Sequence, residues 1–283
     1  MKRELGQQLV YAFANDTKGG NPSYVVATSG QMPEIADRCI TLAQQYGCEV
    51  SHIHFPKAST RADIRFYVST GAIAFCGHGA IAATAWAVAA GHAQGALLLD
   101  YGSGQVMMQI RLGGHRYGFA EPAGNWTELA TTEAELTQLR ALLGLPNLQA
   151  DEIRLWLGGR QRAKVLIRFR RRRHLSQLQV HPTFRDQFCL QHEATGIYLF
   201  AVEGPGLIVA RHFPVYSGTH EDMATGNIAP TVGDLLSDGQ PCEFVIMQGG
   251  PGCDVARLEL SPHDGKWFVG GICRFSDNAI VKN

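Results

Sequence analysis

The sequence contains two copies of a short motif that lie about half its length apart. The stretch CGHGAIAAT (76–84) aligns with MATGNIAPT (223–231), with four identical residues and an offset of 147 in a chain of 283 residues. Each copy follows two predicted strands and precedes a predicted helix that ends at glycine. The strands are 50–55 and 63–68, then 197–202 and 207–213; the helices are 79–91 and 227–239. This repetition predicts two similar α+β domains.

The two predicted helices differ in character. The first is almost wholly apolar, so we expect it to be buried on all sides inside a curved sheet. The second contains Pro230, which a helix tolerates in its first turn, so its start is predicted near Asn227. The polar segment 122–134 predicts a boundary between an N-terminal domain, 1–125, and a C-terminal domain, 126–283, and the last strand could return to the first domain.

Composition excludes several classes of protein. Lys plus Arg equals Asp plus Glu, 25 of each, which predicts neither a nucleic-acid partner nor a membrane surface. No apolar run approaches the roughly 18 to 20 residues that span a bilayer, and Glu4, Gln7 and Gln8 interrupt any signal-peptide core. The seven cysteines form no C-x-x-C pair, which favours reduced thiols in a cytoplasm.

The repeated motif suggests a binding site. FCGHGA (75–80) lacks the third glycine of a dinucleotide-binding loop, and the chain has no Walker loop. A helix N-terminus presents unpaired N–H groups and the positive end of the helix dipole, so it favours a carboxylate or a phosphate. We expect the two helix starts to face each other across a domain cleft and to hold a small anionic substrate.

Other polar residues have a functional and a structural interpretation. His52 and His54 alternate on one strand and could chelate a metal, but no matching ligand pair exists elsewhere, which favours half-buried strand residues. The arginines at 168 and 170–173 could contact an anion, although an exposed loop is the ordinary explanation. Glu49 and the pair 221–222 could be solvated or cap a helix, or exchange a proton with carbon if they lie in a closed cleft.

Four landmarks occur together: GGNPSYVV (19–26), GCEVSHIHF (47–55), IAFCGHGAIAA (73–83) and HEDMATGN (220–227). With them the chain resembles the PhzF-like phenazine-biosynthesis family, relatives of diaminopimelate epimerase. The resemblance implies two pseudo-symmetric domains, each a curved, mostly antiparallel sheet wrapped around a central helix. It also implies an isomerase that needs no metal or organic cofactor and acts on a small carboxylate, similar to trans-2,3-dihydro-3-hydroxyanthranilate isomerase. A homodimer is a family-level expectation.

The resemblance also implies roles for particular residues. Glu49 would abstract a proton from one carbon of the substrate and return it to another, while His78 and Asp222 would hydrogen-bond substrate polar groups and set protonation. Residues that would bind the substrate are Asn21, Cys76, Gly77, Gly79, Thr225, Gly226 and Asn227.

Departures from the family pattern leave two alternatives open. Racemases of this fold use two opposed cysteines; Cys76 matches the first, but the repeat places Met223 at the second, and methionine cannot exchange a proton. The usual S-E-T is here Cys48-Glu49-Val50, which lacks two hydroxyls that could hydrogen-bond the carboxylate. The alternatives are a racemase or epimerase that uses Cys76, and a non-catalytic binding protein of the same fold with Arg170–Arg173 as its contact surface.

Overall fold

A computed structural model describes residues 3–30, 34–56, 60–111, 115–160, 162–215, 221–251 and 254–276 of the chain. His220, the first residue of the fourth landmark, lies outside these described residues. The chain divides into two compact units, one formed by Met1–Ala120 with Gly270–Asn283 and the other by Glu121–Val269.

The first unit is a mixed sheet with two helices. Its elements are β1 (Arg3–Ala14), β2 (Asn21–Ser29), α1 (Ala36–Tyr46), β3 (Glu49–Phe55), β4 (Arg61–Val68), β5 (Gly71–Ile73), α2 (Gly77–Ala89), β6 (Ala96–Asp100), β7 (Gln105–Arg111) and β8 (Arg116–Glu121). The strand order is β1-β2-β3-β4-β6-β7-β8, and β5 pairs with β4. The end of the last strand, Ile272–Phe275, pairs antiparallel with β1.

The second unit has a similar sheet and four helices among its described residues. Its elements are β9 (Asn125–Leu129), α3 (Glu133–Leu143), a 3-10 turn (Ala150–Glu152), β10 (Ile153–Gly159), β11 (Lys164–Phe169), α4 (Arg173–Gln177), α5 (Pro182–Gln191), β12 (Gly196–Gly204), β13 (Leu207–Pro214), α6 (Ala229–Ser237), β14 (Phe244–Gln248), β15 (Ala256–His263) and β16 (Lys266–Phe275). The strands follow in the order β16-β15-β14-β13-β12-β11-β10-β9.

The two units repeat one topology. In the first, β2 and β3 are parallel, β3 and β4 antiparallel, and β4 and β6 parallel. In the second, β11 and β12 are parallel, β12 and β13 antiparallel, and β13 and β14 parallel. The helices α2 and α6 each connect the antiparallel pair to the next parallel strand, as a parallel pairing requires a crossover connection. The predicted repeat, its four strands and its two helices are therefore confirmed.

The start of α6 differs from the prediction. This helix begins at Ala229 and has Pro230 in its first turn, whereas Gly226, Asn227 and Ile228 form a turn before it. Pro230 fits because the first helical positions need no N–H donor, but it does not determine how many turn residues precede the helix.

Helix α2 is the buried helix of the first unit, as its apolar sequence predicts. Its residues from His78 to Ala87 are all buried, and it contacts β1, β2, β3 and β7. Gly79 permits this packing, because a Cβ atom there would lie 2.5 Å from Ser51 Oγ and 3.1 Å from Cys76 Sγ. The first turn of α2 is thus held against β3, which carries Glu49 and Ser51.

Two further observations concern the whole described chain. Six cysteines lie within it, and all six are free thiols. None of its helices has the length and apolar character needed to cross a membrane.

Candidate active site

Three titratable side chains meet at the N-terminal end of α2. The thiol of Cys76 lies 3.4 Å from His78 Nδ1, and His78 Nε2 lies 3.1 Å from Glu49 Oε2. Cys76 and His78 are buried, whereas the Glu49 side chain keeps 30% of its surface exposed. The imidazole therefore bridges an almost enclosed thiol and a carboxylate that solvent or a ligand can reach.

Local structure places each member of this cluster. Cys76 is the residue that caps α2, and its sulfur accepts a hydrogen bond from the Gly79 N–H at 3.4 Å. Glu49 is the first residue of β3, where the chain leaves a left-handed Gly47 at the end of α1. Since alternate residues of a strand share a face, Ser51 lies on the same face as Glu49, and its hydroxyl hydrogen-bonds to Ser23 at 2.8 Å.

The charge state of His78 follows from its neighbours. Burial by itself lowers the pKa of this imidazole, but the adjacent Cys76 and Glu49 outweigh that effect and hold the pKa well above its usual range. His78 is therefore an imidazolium at neutral pH, and its Nε2–H donates to Glu49. A positive charge here compensates the Glu49 carboxylate.

The same three residues could hold a metal ion. Each offers one ligand atom, and the three atoms lie within 4.8 Å of one another, the one such group of three among the described residues. Oxygen, sulfur and nitrogen together are a donor set that Zn²⁺ accepts. The sequence predicts no metal, and hydrogen bonds between the three side chains account for their approach without one.

The second unit contains a separate polar cluster around Asp222. Asp222 accepts hydrogen bonds from the Thr225 hydroxyl at 2.8 Å and lies 3.2 Å from His212 Nδ1. The buried amide of Gln248 donates to Thr225 Oγ1 at 2.9 Å and to the Asp222 carbonyl at 2.6 Å. The Tyr198 hydroxyl donates a hydrogen bond to Gln248 Oε1 at 3.2 Å. The loop that carries Asp222 is thereby held on several sides.

The remaining predicted site residues differ in exposure. Asn21 begins β2 and is buried, opposite Ala12 of β1. Gly77 is partly buried, and a Cβ atom there would lie 3.2 Å from the Phe119 ring. Gly226 is buried in the turn before α6, whereas Asn227 in that turn is exposed.

The residues with alternative interpretations contact neighbours within their own unit. His52 and His54 are both buried on β3, and their rings share the Thr28 hydroxyl at 2.8 and 2.9 Å. Arg170–Arg173 are exposed and lie at the start of α4, whereas Arg168, which was predicted with them, is partly buried in β11. Its members pair with acidic side chains of the same unit: Arg170 with Asp151, Arg172 with Glu203 and Arg173 with Glu152.

Sequence reasoning missed several members of both clusters. Ser23 and Ser51 lie inside two of the landmarks, GGNPSYVV and GCEVSHIHF, which is the one signal that could have singled them out. His212 and Gln248 lie in strands that read as ordinary β-structure. Cys76 was predicted to bind the substrate, with Met223 in place of its partner thiol. The structure places the Cys76 thiol beside His78.

Comparisons with known proteins agree with this fold. The sequence profile of the phenazine biosynthesis-like (PhzC-PhzF) family matches residues 10–251. This match covers most of the chain, so the chain belongs to the phenazine biosynthesis-like family. Its fold is that of diaminopimelate epimerase-like proteins. No sequence among the curated proteins matches it significantly.

Solved structures resemble the chain over nearly its whole length. A PhzF-family phenazine biosynthesis protein from Bacillus anthracis has a TM-score of 0.79 at 17% identity, covering 97% of this chain and 98% of that one. A "predicted epimerase" from Pseudomonas aeruginosa has a TM-score of 0.73 at 19% identity, with 98% of each chain covered. A hydroxyproline epimerase from Agrobacterium vitis with bound trans-4-hydroxy-L-proline has a TM-score of 0.59 at 13% identity, covering 99% and 94%. At these identities the likeness shows the fold.

Proposed function

We propose that this protein is an isomerase that moves a proton between carbons of a small carboxylic acid without a cofactor, with Glu49 as the acid–base group. The observation that carries the proposal is the Cys76–His78–Glu49 cluster, in which a buried imidazolium holds a partly exposed carboxylate at 3.1 Å. Membership of the phenazine biosynthesis-like family and the epimerase fold support proton transfer at carbon as the class of reaction.

The proposed chemistry uses the exposed part of Glu49. Its Oε2 accepts from His78, and the carboxylate takes a proton from an activated carbon and returns it to a neighbouring carbon. The hydrogen bond from His78 limits the movement of the carboxylate. The positive charge of the imidazolium compensates Glu49 before the first transfer and after the second, when the carboxylate is ionised. General acid–base catalysis of this kind contributes roughly 10²- to 10⁴-fold to a rate.

Other groups are proposed to bind the substrate. The N–H groups at the start of α2 and the positive end of its dipole favour the substrate carboxylate. Asn21 is proposed to add a hydrogen bond, and Asp222 and Thr225 to bind a polar group of the substrate. A dimer and a reducing, cytoplasmic environment remain expectations from the family and from the cysteine pattern.

The test is hydrogen exchange with solvent. A panel of small acids, including dihydro-hydroxyanthranilate and trans-4-hydroxy-L-proline, is incubated with the protein in deuterated water and followed by proton NMR and mass spectrometry. We expect one acid to gain deuterium at carbon and to form a product with a displaced double bond. Glu49→Gln should lower that rate about 10²- to 10⁴-fold without changing the midpoint of thermal unfolding. Undiminished turnover by Glu49→Gln would refute the assignment.

A second candidate, an epimerase that uses Cys76, is favoured by one observation. The Cys76 thiol lies 3.4 Å from His78 Nδ1 and accepts the Gly79 N–H, which places a sulfur that could exchange a proton beside an imidazole. This candidate predicts deuterium at the same carbon with inversion, and loss of activity in Cys76→Ala. The isomerase predicts that Cys76→Ala loses much less turnover than Glu49→Gln, so a comparison of these two variants separates the candidates.

A further inference from the structure

Asp222 belongs to a hydrogen-bond network in which the donors from Thr225 and Gln248 are defined. The Thr225 hydroxyl donates to Asp222 Oδ2 at 2.8 Å, so its oxygen is left to accept. One donor to that oxygen is the Gln248 amide at 2.9 Å. The other atom in contact with it is His212 Nδ1, also at 2.8 Å, and this nitrogen is 3.2 Å from the same Asp222 oxygen.

The position of His212 Nδ1 between two oxygens selects one tautomer. With a proton on Nδ1, the ring donates toward Thr225 and Asp222. With the proton on Nε2 instead, the Nδ1 lone pair would face a carboxylate oxygen, which is repulsive. The buried Nε2–H would then have no acceptor, because Nε2 has no hydrogen-bond partner among the described residues, and an unsatisfied buried donor is more costly than an unused lone pair.

The surroundings of the ring also keep it neutral. His212 is buried, and burial lowers the pKa of the imidazole although Asp222 acts in the opposite direction. The backbone of Gly196 lies against the ring, since a Cβ atom there would come within 3.0 Å of Nε2. The main chain adds a direct link, because the Asp222 N–H donates to the His212 carbonyl at 2.9 Å.

We infer that His212, as the neutral tautomer protonated at Nδ1, is a positioning residue that fixes the orientation of the Asp222 carboxylate. The Asp222 side chain keeps 26% of its surface exposed, so the carboxylate is oriented by the buried network yet accessible to a ligand. His212 does not touch a substrate in this scheme; it acts through Asp222. The inference rests on the role proposed above for Asp222 in binding the substrate.

The experiment compares two isosteric variants at one position. The amide nitrogen of asparagine can occupy the place of Nδ1, whereas that of glutamine occupies the place of Nε2. With the acid that exchanges best in the panel, His212→Asn should therefore stay close to the parent in kcat/KM. His212→Gln should lose about 10- to 100-fold, as when an outer hydrogen-bond partner of a functional group is removed. Equal activity of the two variants, or a better glutamine variant, would overturn the inference.

A second arm is independent of turnover. Long-range proton–nitrogen NMR of the ¹⁵N-histidine-labelled protein reports the tautomer of each ring, and the signals missing from His212→Asn identify His212. We expect the Nδ1–H form at neutral pH in the parent and a mixture of tautomers in Asp222→Ala. An Nε2–H form or an imidazolium in the parent would refute the inference.

The two arms separate the possible failures. If no acid in the panel exchanges, the proposed function fails, and the tautomer measurement still decides the hydrogen bond at His212. If an acid exchanges and Asp222→Ala retains full activity, the role of Asp222 is wrong, and the positioning role of His212 falls with it.

Discussion

Replacing Gly79 by alanine tests how closely the first turn of α2 packs on β3. The added Cβ would lie 2.5 Å from Ser51 Oγ and 3.1 Å from both Cys76 Sγ and Phe66 Cδ1. Contacts below 3.0 Å force a neighbour to move, and the Ser51 hydroxyl can rotate away only by giving up its 2.8 Å hydrogen bond to Ser23. The substitution therefore changes both packing and a buried polar pair.

The expected loss of stability follows from three effects. Overpacking of a core position costs about 1–3 kcal/mol, and the lost hydrogen bond adds about 1 kcal/mol. Alanine in place of glycine inside a helix returns about 1 kcal/mol. The free energy of unfolding should therefore fall by about 1–3 kcal/mol, and the midpoint of thermal unfolding by about 2–4 °C for each kcal/mol lost.

The assay is urea unfolding followed by circular dichroism, with Gly204→Ala as the matched control. A Cβ atom at Gly204 meets nothing within 4 Å, so this variant should equal or slightly exceed the parent, since alanine reduces the entropy of the unfolded chain. In the Gly79→Ala background, Ser51→Ala removes the closest contact and should restore part of the loss. A Gly79→Ala protein as stable as the parent, or a Gly204→Ala protein that loses as much, would refute the packing argument.

Three further predictions concern stability. Burial lowers the pKa of His52 from about 6.5 to about 4, so the unfolded chain binds more protons than the folded protein between these pH values. The free energy of unfolding should therefore fall by up to about 3 kcal/mol as the pH drops from 6.5 to 4. In urea unfolding at several pH values, His52→Gln should show a weaker pH dependence. Thr132 caps α3 in a capping box, so Thr132→Ala should cost about 1 kcal/mol in the same assay; an unchanged midpoint would contradict it. Arg211 makes a largely buried ion pair with Glu221 at 2.8 Å. Glu221→Gln should therefore destabilise the second unit by about 3 kcal/mol, as measured by calorimetry. A loss below about 1 kcal/mol would show that the pair is effectively solvated.

Much of the fold could be predicted because it is encoded locally. The β-branched and aromatic runs identify β3, β4, β12 and β13. The almost wholly apolar run 79–91 identifies a helix that is buried on all sides. The start of α6 is not encoded in the same local way, because a proline in the first turn is compatible with preceding turns of different length.

The candidate site was only partly predictable, because its contacts join residues that are distant in the sequence. Glu49 and His78 are separated by 29 positions, and Thr225 and Gln248 by 23. Such contacts depend on strand register. For example, β2 and β3 are parallel with Ser23 opposite Glu49, and no one-dimensional pattern specifies that register. A histidine such as His212 therefore reads as an ordinary strand residue until its neighbours are known.

The sequence by itself determined the repeat, the class of fold and the short list of polar residues in the two motifs, because glycine turns and hydrophobic periodicity act over a few residues. Only the tertiary structure decided which of those residues meet. It places the His78 imidazole in contact with both the Cys76 thiol and the Glu49 carboxylate. It also places the buried His212 ring beside Asp222. The physical reason is that protonation and charge depend on burial and on neighbours within a few ångströms, and those are set by packing between strands and helices.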